Sequence, residues 1–142
     1  MIKQRGKAAW TGDIKGHGIL STQSGVIEAP YSVGSRFEGQ KGTNPEELIG
    51  AAHAGCYTMY LTSVLTQAGH QSEGITTTSL VTMDPTAKPP LVTGIHISTE
   101  GRVQGLSPEE FQAFAEDAKA NCPISRALSA VGDMTLEAKL VG

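Results

Sequence analysis

The alternation of apolar and polar residues predicts a group of short strands in the first third of the chain. Three runs of strand-like composition, bounded by glycines, occupy residues 8–11, 18–21 and 26–28. The next segment, residues 30–42, has three glycines and no helical period, which predicts a loop or an edge strand with a bulge. We therefore expect three antiparallel strands followed by an irregular segment of the kind that often carries functional residues.

A long helix is predicted over residues 45–68. Asn44 can cap it, proline is favoured at its first position, and Glu46 and Glu47 face the positive end of the helix dipole. Residues 48–72 contain no Asp, Glu, Lys or Arg, and a charge-free run of that length meets the criterion for a membrane span. Polar side chains interrupt it every few residues, so we interpret it as a helix buried inside protein and expect no membrane partner.

The second half of the chain predicts a hairpin, two helices and a closing strand. Residues 75–83 and 95–103 have strand-like composition, alternating clearly in the second run, and a proline-rich turn joins them. Helix-start residues at 107–110 are followed by an apolar stripe that ends near Asn121, and a short helical continuation is predicted over 123–128. Residues 134–140 alternate again and predict the last strand.

These elements predict one α+β domain over residues 1–142, with antiparallel strands, a long central buried helix and the order βββ-α-ββ-αα-β. Charged residues make up 18% of the chain, against about 25% in an average domain. Such a low fraction indicates that part of the surface is covered by something other than the chain's own fold. We therefore expect an oligomer.

The charge balance argues against nucleic acid as a partner. Lys and Arg number 11 and Asp and Glu number 14, which gives a net charge of −3 without any basic cluster. The first thirteen residues are polar and do not resemble a secretory leader, so we expect a cytoplasmic protein.

The two cysteines occupy different predicted environments. Cys56 lies in the middle of the long helix, where burial alone would raise its pKa above about 8.5 and leave the thiol inert. A reactive Cys56 therefore needs a cation from elsewhere, and Arg36 in the glycine-rich segment is the best candidate. Cys122 opens a helix, where the dipole favours a thiolate. Buried, purely structural thiols remain an alternative for both.

His53 shares a helix face with Cys56, three residues away, which permits a nucleophile pair for acyl transfer or hydrolysis. A satisfied core histidine is the competing interpretation. A zinc site of His53, Cys56 and Cys122 has weak support, because neither CxxC nor HxxxH occurs. If the protein is not an enzyme, the alternative is a non-catalytic dimer with inert cysteines.

Three segments of the sequence closely resemble the osmotically inducible protein C (OsmC) family. They are RFEG at residues 36–39, GTNPEELIGAAHAGC at residues 42–56, and ANCPIS at residues 120–125. The resemblance extends over essentially the whole chain and includes AAWTGDIKGHG near its start. The context of Arg36 favours the OsmC branch over the related organic hydroperoxide resistance proteins.

This resemblance implies a thiol-dependent peroxidase that reduces organic hydroperoxides and works as an intertwined homodimer with two sites at the interface. Cys56 matches the peroxidatic cysteine and Cys122 the resolving cysteine, which condenses with a Cys56 sulfenic acid to give a disulfide. Arg36 matches the arginine that contacts the reactive thiolate, and Glu46 the glutamate that orients it. The family implies a dithiol reductant and suggests a lipoyl-type dithiol. It requires no metal or organic cofactor and gives His53 no catalytic role.

An apolar channel for the alkyl tail of the substrate is expected to involve Phe37, Met59, Tyr60 and the Phe111 and Phe114 stripe.

Helix geometry adds an expectation about where the site is built. Glu46 and Cys56 are ten residues apart on one predicted helix, which separates them by about 15 Å along its axis and about 80° around it. If Glu46 orients the arginine that activates Cys56, it must therefore come from the partner subunit.

Overall fold

The first three strands form an antiparallel sheet in which each strand pairs with the next one along the chain, within one compact unit, Met1–Leu48. The computed structural model describes all 142 residues. The strands are β1 (Gly6–Thr11), β2 (His17–Thr22) and β3 (Glu28–Tyr31). The third strand begins two residues later than predicted and includes Pro30 and Tyr31, which were assigned to the following loop.

A short helix, α1 (Val33–Phe37), lies where the sequence predicted a loop or a bulged edge strand. That prediction was wrong because the helix is set by a capping box. The Ser32 hydroxyl accepts from the backbone N–H of Ser35, and the Ser35 hydroxyl accepts from that of Ser32. Five residues are too few to give an apolar period. The element order therefore gains a helix between β3 and the long helix.

The long helix, α2 (Pro45–Gln67), begins at the predicted residue and continues without a break. The Asn44 side chain accepts from the backbone N–H of Glu47 at 2.8 Å and so caps the helix. Its buried positions recur every three or four residues; they are Gly50, His53, Tyr57, Leu61 and Leu65. The opposite face is exposed in the single chain, where Met59 is 77% exposed, so the predicted burial applies to one face only. None of the helices combines the length and the apolar character that a membrane span requires.

A second sheet, also of three strands, belongs to the compact unit Ile49–Gly142. Strands β4 (Ser72–Asp84) and β5 (Leu91–Val103) form the predicted antiparallel hairpin. Strand β6 (Met134–Leu140) pairs in parallel with β5, so the expectation of antiparallel strands throughout was wrong. The two helices between these strands, α3 (Pro108–Asn121) and α4 (Pro123–Ala127), form the crossover that a parallel pair requires.

The core of this unit lies between helix α2, helix α3 and the second sheet. Its buried apolar residues include Tyr57, Leu61, Leu65, Ile95, Ile97 and Phe111. The predicted inward alternation of strand β5 is confirmed, since Ile95, Ile97 and Thr99 are buried. Helix α2 approaches strand β4 closely at Gly50, where a Cβ atom would lie 2.6 Å from the Ser79 carbonyl oxygen. A side chain at this position would push the helix off the sheet.

We predict that Gly101→Ala destabilises the protein by about 1–3 kcal/mol. A Cβ atom at Gly101 would lie 2.7 Å from Cζ of Phe111, whose ring is fully buried and has no room to move. Gly74→Ala on the neighbouring strand is the matched control, because a Cβ atom there meets nothing within 4 Å. Urea unfolding measures both variants. Equal free energies of unfolding for the two would contradict the packing assigned to Phe111.

Candidate active site

An ion pair between Arg36 and Glu46 is the main charged feature of the first unit. The Arg36 Nη2 donates to Glu46 Oε1 at 2.6 Å, and Nε donates to both carboxylate oxygens at 3.1 and 3.2 Å. The Arg36 side chain is 37% exposed and that of Glu46 is 12% exposed. A fork of this kind fixes the plane of the guanidinium as well as its position. Arg36 is therefore presented in one orientation.

Local structure on both sides of the pair brings these two residues together. Arg36 lies in the last turn of helix α1, and Glu46 lies in the first turn of helix α2. The segment between them is tied back because the Ser35 hydroxyl donates to the Thr43 carbonyl oxygen at 2.7 Å. The backbone N–H of Thr43 donates to the Pro30 carbonyl oxygen at 2.8 Å. These two hydrogen bonds hold the segment between Arg36 and Glu46 in place.

A pocket of about 290 Å³ borders Arg36 in the same unit. Aromatic and aliphatic side chains form most of its wall; the lining residues are Trp10, Ile14, Tyr31, Ser32, Val33, Arg36 and Phe37. Trp10 and Tyr31 meet edge to face at 5.3 Å, and the guanidinium carbon of Arg36 lies 5.2 Å from the centre of the Phe37 ring. The pocket therefore combines an apolar wall with one cation.

The second unit brings the two cysteines together. Cys56 is half-buried on helix α2, whereas Cys122 is fully buried at the junction of helices α3 and α4. Both thiols are free, and the side chain of Cys122 interacts with that of Cys56. Cys122 caps helix α4, since its Sγ accepts from the backbone N–H of Ser125 at 3.3 Å. The predicted position of Cys122 at a helix start is confirmed.

The surroundings of Cys56 in this unit favour the neutral thiol. Burial is the largest cause and raises the pKa of Cys56 above its usual range. A backbone hydrogen bond with Ile124 acts in the opposite direction, and the Cys122 side chain raises the pKa of Cys56 further. Within these surroundings the thiol is protonated at neutral pH. This agrees with the expectation that a reactive Cys56 needs an added cation.

His53 is a fully buried residue whose two ring nitrogens both have hydroxyl partners. Nδ1 is hydrogen-bonded to the Ser79 hydroxyl and Nε2 to the Ser125 hydroxyl, each at 2.7 Å. Burial lowers the pKa of His53, so the ring is neutral at pH 7. The structure therefore forms the satisfied core histidine, and the Cys56 and His53 nucleophile pair is not formed.

The structure thus brings Arg36 to Glu46 in one unit and Cys56 to Cys122 in the other. No group of three or more His, Cys, Asp or Glu side chains is arranged to hold a metal ion, so His53 and the two cysteines do not form the zinc site considered above.

The expected apolar channel needs a correction. Phe111 is fully buried in the core and cannot line a channel, whereas Phe37 lines the pocket beside Arg36.

Sequence reasoning missed the two hydroxyl partners of His53. Ser79 and Ser125 lie 26 and 72 residues from the histidine along the chain, so no local pattern connects them. Ser125 lies three residues after the helix-capping Cys122, and this spacing was a usable indication that Ser125 and Cys122 contact each other.

Comparisons with known proteins match the whole chain to one family. A family model described as OsmC-like protein matches residues 38–137. Peroxiredoxin OsmC of Escherichia coli is 45% identical over 141 residues, covering 98% of this chain and 97% of that protein. Organic hydroperoxide resistance protein OhrA of Bacillus subtilis is 31% identical over 98 residues, covering 69% and 68% of the two chains.

Solved structures agree on the fold. The crystal structure of an OsmC like protein from Mycoplasma pneumoniae matches with a TM-score of 0.78 and 14% identity, and covers 99% of each chain. An OsmC-like protein of unknown function from Vibrio cholerae matches with a TM-score of 0.76 and 15% identity, covering 97% of this chain and 99% of that one. At these identities the likeness concerns the fold alone.

Proposed function

Since the chain belongs to the OsmC-like protein family, we propose that it is a thiol-dependent peroxidase that reduces organic hydroperoxides to alcohols. The observation that carries this proposal is the pair of free thiols, Cys56 half-buried and Cys122 fully buried beside it. Relatives named as a peroxiredoxin and as an organic hydroperoxide resistance protein support the same reaction.

The proposed cycle uses both thiols. The Cys56 thiolate attacks the outer peroxide oxygen, the O–O bond breaks, and the alcohol leaves with a proton while Cys56 becomes a sulfenic acid. Cys122 then attacks that sulfur, which forms a disulfide and releases water. An external dithiol of the lipoyl type exchanges with the disulfide and returns both residues to thiols. No metal or organic cofactor enters this cycle.

Arg36 and Glu46 supply the activation that Cys56 lacks. Burial raises the pKa of Cys56, so a nearby cation is needed to hold the thiolate at neutral pH. A guanidinium has five N–H donors in a planar fork and can pair with a carboxylate and a thiolate together. The hydrogen bonds from Nε and Nη2 of Arg36 to the Glu46 carboxylate set the orientation in which Arg36 meets the thiolate.

The length of helix α2 favours sites shared between two chains. Glu46 and Cys56 lie on this unbroken helix, and ten residues at about 1.5 Å each separate them by about 15 Å. We infer an intertwined homodimer in which the Arg36 and Glu46 pair of each chain activates Cys56 of the partner subunit. The low charged fraction of 18% and the exposed Met59 on helix α2 support burial of this surface by a second copy.

We infer that residues 1–142 form a single OsmC-like domain that acts in the cytoplasm. A reducing compartment keeps both cysteines as thiols between turnovers.

The apolar pocket beside Arg36 favours hydroperoxides that carry an alkyl group. The ring surfaces of Trp10, Tyr31 and Phe37 offer contact to a hydrocarbon tail, whereas hydrogen peroxide offers them nothing in exchange for its own desolvation. Each methylene group buried in the transition state contributes about 0.8 kcal/mol of binding free energy, which is enough to set the substrate preference.

We predict that kcat/KM for tert-butyl hydroperoxide exceeds that for hydrogen peroxide by at least about tenfold. A dithiol-coupled assay at equal substrate concentrations measures both, and Cys56→Ser should lose both activities. Hydrogen peroxide turned over as efficiently as the organic substrate would count against an apolar substrate site.

We further predict that treatment with one equivalent of organic hydroperoxide gives an intramolecular disulfide between Cys56 and Cys122. Cys122→Ser should complete one turnover but not many, because its Cys56 sulfenic acid has no partner and is open to overoxidation. Mass spectrometry of the protein with and without a reducing agent identifies the products. A disulfide between two chains, or full multiple turnover by Cys122→Ser, would contradict the cycle; the latter fits a one-cysteine peroxidase whose sulfenic acid is reduced directly by the external dithiol.

A further inference from the structure

A continuous line of hydrogen bonds runs from Cys122 through the core to strand β4. The Cys122 thiol donates to the Ser125 hydroxyl at 3.1 Å, and this hydroxyl is 2.7 Å from Nε2 of His53. Nδ1 of His53 is in turn 2.7 Å from the Ser79 hydroxyl. Cys122, Ser125 and His53 are all buried. Three polar groups are therefore kept in the core in one connected arrangement.

Only one direction of proton donation fits all of these contacts for a neutral histidine. Because the Ser125 oxygen accepts from the thiol, its own proton points to Nε2, which must accept. The ring proton is then on Nδ1 and is donated to Ser79. Burial lowers the pKa of His53 and keeps the ring neutral, so Nε2 has a lone pair available in the resting enzyme.

We propose that Ser125 and His53 form a proton relay that deprotonates Cys122 when it attacks oxidised Cys56. The relay deepens the proposed peroxidase function and rests on it. Ser125 touches the reacting sulfur and is the catalytic residue of the pair, whereas His53 acts through Ser125 and is a positioning residue. The backbone N–H of Ser125, 3.3 Å from Cys122 Sγ, stabilises the thiolate that forms.

Two protons move along the relay as Cys122 attacks Cys56. The Cys122 proton moves to the Ser125 oxygen as the Ser125 proton moves to Nε2 of His53. The Cys122 sulfur forms a bond to the Cys56 sulfur, the S–O bond of the sulfenic acid breaks, and hydroxide leaves. The hydroxide takes up a proton and His53 loses one, so the products are the disulfide, water and a neutral imidazole. When a reductant thiolate later attacks Cys56, the S–S bond breaks and Cys122 leaves as a thiolate. The proton that the reductant thiol released on ionising is taken up by Nε2 of His53 and passes through Ser125 to Cys122.

The groups that surround this relay come from helices α2 and α3 and from strand β4. Helix α2 contributes the Cys56 thiol and the Tyr57 hydroxyl, and the latter donates to the Ala115 carbonyl oxygen at 2.9 Å. Burial, and then Glu116 of helix α3 and Cys122, raise the pKa of Tyr57 far above neutrality, so its hydroxyl keeps its proton during turnover. Strand β4 contributes the Ser79 hydroxyl.

The relay is tested by following disulfide formation in the full-length protein after one equivalent of tert-butyl hydroperoxide. Samples are quenched with an alkylating reagent in denaturant, and mass spectrometry separates sulfenic acid from disulfide. We expect Ser125→Ala and His53→Gln to slow the conversion by about 10- to 100-fold near pH 6.5. The defect should shrink as pH rises, because hydroxide from solution can then take the thiol proton without the relay.

Thr77→Val is the matched control. Thr77 is on the same strand as Ser79, and its hydroxyl is hydrogen-bonded to the Thr99 hydroxyl at 2.9 Å, outside the relay. This variant should therefore follow the wild-type pH profile. Circular dichroism verifies folding. Where His53→Gln does not fold, Ser125→Ala removes a single hydroxyl and decides the question alone.

Two results would overturn the relay: wild-type rates in Ser125→Ala at every pH, or a loss of the same size at every pH, as expected of a purely structural contact. A wild-type protein that forms no disulfide would remove the proposed two-cysteine function as well. A wild-type disulfide together with unaffected variants would overturn the relay alone.

Discussion

Burial of the Cys56 thiol is the constraint on which the rest of the site depends. A thiol in the middle of a helix gains nothing from the helix dipole, and its surroundings raise its pKa. The same packing brings Cys56 to a second thiol, that of the fully buried Cys122. The chain therefore needs a cation that is itself held rigidly, and the Arg36 fork on Glu46 has that property.

In the proposed peroxidase cycle, the two thiols present opposite problems of proton transfer. Cys56 must exist as a thiolate before the peroxide arrives, and a permanent cation suits that requirement. Cys122 is fully buried and must lose its proton only after Cys56 has been oxidised. A permanent charge beside it would cost a large desolvation energy, whereas a neutral histidine reached through a serine hydroxyl is inexpensive to bury when every polar atom has a partner.

Local sequence information predicted the elements better than it predicted how they pair. Helix α2 was recognisable because Asn44, Pro45 and two glutamates mark its start, and strands β5 and β6 because their side chains alternate. Helix α1 was missed because its five residues carry no period and its cap uses two serines. The parallel pairing of β5 and β6 depends on the path of two intervening helices, which no local pattern encodes.

The same distinction applies to the site. The roles of Cys56, Cys122, Arg36 and Glu46 could be assigned only through the family resemblance, since residue types alone left several chemistries open. The hydrogen bonds of His53 to Ser79 and Ser125 needed the folded structure, because they join positions 26 and 72 residues apart.

In the proposed homodimer the arginine of one chain activates the cysteine of the other, and subunit exchange tests this arrangement most directly. Cys56→Ser and Arg36→Ala chains are each expected to be inactive as homodimers. Equal amounts under exchanging conditions should give about half mixed dimers, each with one intact site, and so about a quarter of wild-type activity. Mixtures that stay inactive, with exchange verified by native mass spectrometry, would contradict shared sites and place Arg36 and Cys56 of one chain in the same site.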